Sequence, residues 1–137
     1  MIIPYTKFPL KKGNAFRPII EVEIILKLKT VKLLALIDTG ADITMANKDI
    51  AKKLGFDFLF NKPTSTVTGV SGSKEPTWNQ QVDLKISGFD EVFSSQVIFM
   101  KSNNFTMLLG HTGFLEFFDI TFQTSRKQFE IEIASQQ

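Results

Sequence analysis

The sequence predicts an all-β fold carrying two short helices, and three observations predict it. Apolar and polar residues alternate with period two along most of the chain. Turn residues, often with a glycine among them, punctuate these stretches. Only residues 47–54 and 112–118 show helical spacing, and both windows are short.

The elements follow in order. Ile20, Val22, Ile24, Leu26 and Leu28 fall on one face of a strand, opposite Glu21, Glu23, Lys27 and Lys29. A turn near Lys29-Thr30 leads into Val31–Ile37, whose nearly continuous apolar character marks a central strand. Asn47 is then placed to cap a helix, Asp49 suits the positive end of its dipole, and Gly55 suits its exit. Thr64–Thr68 and the strand resuming from Trp78, with Val82, Leu84 and Ile86 on one face, form two arms around the tip Gly69-Val70-Ser71-Gly72-Ser73. The first arm and tip carry few large apolar side chains, so this hairpin is expected to project and to move. Pro76 cannot donate in a ladder, which makes the second arm bulged or edge-like there. Phe93, Val97 and Phe99 share a face of the next strand, Phe105–Leu109 is a further short strand, and Ile120–Thr124 and Lys127–Ile133 form a last hairpin. Lys7–Pro18 reads as a loop.

The chain has 137 residues, suited to one domain spanning 1–137. It has no cysteine and a single histidine, His111. That excludes disulfides, thiol nucleophiles and Cys-based zinc sites, and it argues against a Ser-His-Asp triad. No cofactor or metal is expected. The N-terminus resembles neither a signal peptide nor an anchor, and the lack of cysteine suits the cytoplasm. With a net charge of +2, basic doublets such as Lys11-Lys12 and Lys52-Lys53 read as solvated surface. Neither nucleic acid nor membrane is an expected partner.

The run Leu34-Ala35-Leu36-Ile37-Asp38-Thr39-Gly40-Ala41-Asp42 carries the chemistry. An apolar strand delivers Asp38 to a turn at the edge of the core, where a carboxylate can do acid/base work. Gly40 is expected to supply backbone freedom for that turn. Taken alone, Asp-Thr-Gly is equally a good generic turn. The order of parts then adds to it: the short helix, the glycine-tipped hairpin, and Leu108-Leu109-Gly110 leading into the second helix and Asp119-Ile120-Thr121-Phe122.

From about Ile19 to Ile133 this order resembles a retropepsin, the single-domain aspartic protease family of retroviruses and their cellular relatives. The resemblance implies a closed β-barrel with a flap hairpin and a homodimer acting on a peptide or protein substrate. Because the chain holds one Asp-Thr-Gly, Asp38 would meet its counterpart in a second copy across a twofold axis. It also implies that Asp38, Thr39 and Gly40 are catalytic: Asp38 as the carboxylate, Thr39 bonding across the dyad, Gly40 presenting its carbonyl. Ala41 and Asp42 would help hold the peptide, Leu36, Thr106 and Leu108 would line side-chain subsites, and Gly69, Val70, Ser71 and Gly72 would close over the substrate. The terminal strands Ile2–Thr6 and Phe129–Ile133 would interleave with those of the partner. One departure stands out. Where retroviral enzymes carry Arg paired with the carboxylate at the Asp42 position, this chain has His111, read either as a helix-entry residue with no special role or as half of an Asp42–His111 pair favoured in acid. The alternative reading is a retropepsin-like dimerisation or peptide-binding module without useful turnover.

Overall fold

The computed structural model describes residues 1–57, 61–68, 72–101 and 104–135. The chain opens with β1 (Ile2–Pro4), followed by a hairpin of β2 (Thr6–Pro9) and β3 (Asn14–Arg17). Then come β4 (Ile19–Leu26), β5 (Lys29–Ile37), β6 (Met45–Asn47) and the single-turn-and-a-half helix α1 (Lys48–Lys53). The remaining strands are β7 (Ser65–Thr68), β8 (Lys74–Ile86), β9 (Val92–Met100), β10 (Met107–Leu109), β11 (Phe118–Gln123) and β12 (Gln128–Ile133).

Six strands close into a mixed barrel in the order β4-β5-β10-β6-β9-β8, with β8 returning to pair with β4. The alternating pattern decides which side chains fill it. Ile20, Val22 and Ile24 of β4, Val82, Leu84 and Ile86 of β8, and Val97 and Phe99 of β9 all point into one core, while the intervening Glu, Gln, Asp and Lys residues stay outside it. At about 25 cal/mol per Å² of apolar surface, burial of these branched and aromatic side chains is the main force closing the barrel. Among the described residues, no helix is long and apolar enough to cross a membrane.

The first hairpin differs from expectation. Leu26 pairs with Lys29, so the turn is the two-residue loop Lys27-Leu28. Lys27 takes a left-handed conformation at φ 55. That puts Leu28 wholly in solvent rather than on the buried face. Lys7–Pro18 is the β2–β3 hairpin, with Thr6 opposite Arg17 and Pro9 opposite Asn14.

β8 does two jobs. Its C-terminal half is barrel wall, and its N-terminal end pairs with β7 to form the projecting hairpin, Ser65 opposite Thr77 and Thr68 opposite Lys74. Pro76 lies one residue beyond the last β8–β9 pair, Thr77 with Met100, so it faces β7 alone and interrupts no ladder to β9. Trp78 at the base is buried, and its Nε1–H donates to the Asn61 carbonyl at 2.8 Å.

The terminal strands also depart from the expected exchange. β1 pairs antiparallel with β12 of the same chain, and β11 flanks β12 on its other side. Phe129 and Ile131 of β12 are fully buried, so this three-stranded sheet is packed onto the core by its own side chains.

The second helix is reduced to a 3₁₀ turn at Leu115–Phe117. Gly113 explains this, because its φ of +96 breaks any helical run through it. Phe114, fully buried, then packs against Phe118 at 4.9 Å, and Phe93 stacks on Phe117 at 4.9 Å. This aromatic cluster anchors the segment that follows Gly110, to whose carbonyl the Leu115 N–H donates at 2.9 Å.

Candidate active site

β5 and β10 run parallel, with Leu36 beside Leu108 and Ile37 beside Leu109. Alternation sends Ile37 and Leu109 inward and leaves Leu36 and Leu108 half-buried on the outer face. The ladder continues one residue further, since the Asp38 N–H donates to the Leu109 carbonyl at 3.0 Å. Beyond that the chain turns back, with the Ala41 N–H donating to the Asp38 carbonyl at 3.1 Å. The Gly40 N–H donates to Asp38 Oδ1 at 2.9 Å, which orients the carboxylate. Asp38 is half-buried, whereas Thr39, Gly40 and Asp42 are exposed and Ala41 is buried.

The role of Gly40 differs from the expected one. It does not occupy the left-handed region. A Cβ there would stand 3.3 Å from Asp38 Oδ1, so the missing side chain serves close approach to the carboxylate.

A second loop threads beside the first. The Gly110 N–H donates to Oγ1 of Thr44, a fully buried side chain, at 3.1 Å. The His111 N–H donates to the Ala41 carbonyl and the Thr112 N–H to the Asp42 carbonyl, both at 2.9 Å. Ser95, also fully buried, donates its hydroxyl to the Gly113 carbonyl at 2.5 Å. Thr44 and Ser95 were not legible as site supports, because a buried hydroxyl acquires its meaning only from a partner distant in sequence.

His111 is corrected by the geometry. Its Nε2 lies 2.7 Å from the Thr39 carbonyl, and the two ion pairs among the described residues join Lys32 to Glu21 and Glu23, not His111 to Asp42. A carbonyl accepts from an Nε2–H whether or not the ring carries a second proton. The acid dependence expected of an Asp42–His111 pair therefore loses its basis.

Of the other expected site residues, Leu36, Thr106 and Leu108 come together along a groove of 390 Å³ next to the Asp38 strand end. Gly69, Val70 and Ser71 lie outside the described residues. Gly72 has φ +81 and open space around it at the exposed hairpin end.

Asn47 ties the helix to this groove. Its Oδ1 accepts from the Asp49 and Ile50 N–H groups at 3.1 and 3.2 Å, and its Nδ2 donates to the Phe105 carbonyl at 2.9 Å. Asn47→Ala removes the cap and leaves a carbonyl without that donor, so it is expected to lower stability by about 2 kcal/mol in urea unfolding. A loss below about 0.5 kcal/mol would show that the cap is dispensable.

An Asp-Thr-Gly turn and an apolar-apolar-Gly loop crossing at one end of a six-stranded barrel define the retropepsin-like aspartic protease fold. The chain belongs to a family described as gag-polyprotein putative aspartyl protease, whose model matches residues 24–116. Among solved structures it is similar to a retropepsin-like aspartic protease from Rickettsia conorii, at 21% identity and a TM-score of 0.64, covering 96% of this chain and 97% of that one. It is also similar to the EIAV protease in complex with the inhibitor HBY-793, at 22% identity and a TM-score of 0.53, covering 77% and 88%. No curated protein matches it significantly.

Proposed function

We propose that the protein is a homodimeric aspartic endopeptidase in which Asp38 of each of two copies contributes half of one active site. The observation that carries this reading is the carboxylate of Asp38, oriented by the Gly40 N–H and set in an exposed loop at the end of a buried strand. One such loop per chain is half of what the chemistry requires. Two carboxylates about 3 Å apart cannot both ionise, so they share one proton. The charged member takes a proton from water, and the resulting hydroxide equivalent attacks the peptide carbonyl carbon. The neutral member gives its proton to the carbonyl oxygen. Collapse of the tetrahedral intermediate breaks the C–N bond, and a proton passes to the leaving amine.

In this reading Thr39 bonds to the partner loop, the Gly40 carbonyl and Asp42 hold the substrate main chain, and Ala41 packs beneath them. Leu36, Thr106 and Leu108 line a side-chain subsite. The β7–β8 hairpin is the flap, and N–H groups at its tip, chiefly that of Val70, would add strand-like hydrogen bonds to an extended peptide.

The test is hydrolysis of an unstructured protein by wild type and Asp38→Asn. The amide can neither serve as the charged base nor donate a carboxylic proton, so the variant is expected to lose activity by about 10³-fold or more. Cleavage surviving the substitution would remove the mechanism. Peptide binding without cleavage by either protein would assign the fold to a binding module instead.

A further inference from the structure

At the end of β5 opposite Asp38, the fold gathers charges that the sequence keeps apart. Lys27 and Leu28 form the β4–β5 turn, and Lys29 begins β5. Lys52 and Lys53 end α1, where cations suit the negative pole of the helix. The Lys29 side chain runs along Gly55, at which a Cβ would stand 3.6 Å from its Cδ, Cε and Nζ. An open groove of 560 Å³ is bordered as a result by Lys29, Lys52 and Lys53, together with Asp49. The ion pairs among the described residues belong to Lys32, so none of these ammonium groups lies within 4.0 Å of a carboxylate there.

Leu28, flanked by Lys27 and Lys29, is the most exposed large apolar side chain among the described residues, at 102%. Local preference does not account for its turn. Two-residue hairpin loops favour Asn-Gly and other glycine-bearing pairs, yet here Lys27 holds φ 55 and Leu28 follows it into solvent. A leucine projecting between lysines is suited to an anionic bilayer surface. The apolar side chain can enter the boundary between headgroups and acyl chains while the ammonium groups stay among the phosphates. The leucine also decides between a bilayer and a soluble polyanion, because a phosphate backbone offers it nothing to enter.

We propose that the β4–β5 turn and the end of α1 form a docking surface for anionic lipid membranes, with Leu28 entering the bilayer and Lys27, Lys29, Lys52 and Lys53 facing its headgroups. The contact is peripheral and reversible, since one leucine and four lysines opposed by Asp49 fall short of a stable anchor. About 26 Å of β5 runs from Lys29 to Ile37, so this surface and the Asp38 loop do not overlap.

The test is cosedimentation with phosphatidylcholine vesicles, with or without about 30 mol% phosphatidylserine. Wild type is expected to bind the phosphatidylserine vesicles with half saturation at about 1 mM accessible lipid, to leave them as salt is raised, and to ignore phosphatidylcholine alone. Lys52→Gln/Lys53→Gln is expected to weaken binding about tenfold or more. Leu28→Ser, which changes no charge, is expected to weaken it about fivefold. Lys11→Gln/Lys12→Gln removes the same charge from the β2–β3 hairpin and is expected to bind as wild type does. Because the chain has no cysteine, Leu28→Cys takes a single polarity-sensitive dye, whose emission is expected to shift to the blue on these vesicles. Equal weakening by the two lysine pairs would reduce the effect to net charge and overturn the inference. So would an unshifted dye, a Leu28→Ser variant that binds as wild type does, or no binding by wild type at about 10 mM lipid. Binding of a single-stranded oligonucleotide that depends on Lys52 and Lys53, without binding to vesicles, would assign the lysines to a soluble polyanion instead. None of these readouts depends on peptide hydrolysis.

Discussion

A tenfold excess of Asp38→Asn chains is expected to leave about a tenth of the activity of a fixed amount of wild-type protein, once subunits have exchanged. The reason is statistical. If each active site needs one carboxylate from each copy, a wild-type chain paired with the variant has a single carboxylate and cannot hold the one-charged, one-neutral state. With random pairing, most wild-type chains are then trapped in such mixed pairs. An enzyme whose subunits worked independently would show no loss at all. The measurement is initial-rate hydrolysis after mixing and equilibration at concentrations well above the dimer dissociation constant. Undiminished activity there would end the shared-site reading while leaving the fold untouched.

Gly110→Ala is expected to be among the most damaging single-methyl additions to the chain. A Cβ at that position would lie 2.6 Å from the Ala41 carbonyl oxygen and 2.7 Å from the Ile43 carbonyl carbon and oxygen. All three atoms are backbone, so relief requires moving the chain on both sides of Asp42. That same movement would disturb the Gly110–Thr44 hydrogen bond inside the core. Overpacking against backbone of this kind costs about 3 kcal/mol or more. The variant should melt well below wild type by circular dichroism, and any folded fraction should be inactive because the Asp38 loop is displaced. Near-native melting would mean that the two loops can separate without disturbing the barrel.

The parts legible in the sequence are those with local causes. β4, β8 and β12 could be read because each has one dry and one wet face, and a period of two records that directly. The helix cap at Asn47 and the exit at Gly55, with φ 82, follow from side-chain chemistry within a few residues. The Asp38 turn was visible for the same reason.

Non-local causes hid the rest. β6 is three residues long and exists because β10 and β9 flank it on both sides. The β2–β3 hairpin lacks clean alternation and is held by contacts to Ile37 and Lys127, far along the chain. Its only local signal was the turn-prone Gly13-Asn14 between Thr6-Lys7-Phe8 and Ala15-Phe16-Arg17. His111 and Asp42 carry opposite tendencies in charge, yet the backbone crossing brings the imidazole to the Thr39 carbonyl instead. The groove illustrates both cases. Leu36 and Leu108 follow from strand parity, while Phe8 and Arg17 reach it only through the folded N-terminal segment.

The sealing of β12 between β1 and β11 has a consequence for how such an enzyme would be governed. Because the barrel and the terminal sheet are both completed within one chain, folding need not wait for assembly. Under the dimeric reading, a dilute solution would then hold a latent pool of intact, silent subunits rather than unfolded ones. Output from that pool would climb with roughly the square of concentration at the dilute end, making crowding of the chains themselves the trigger.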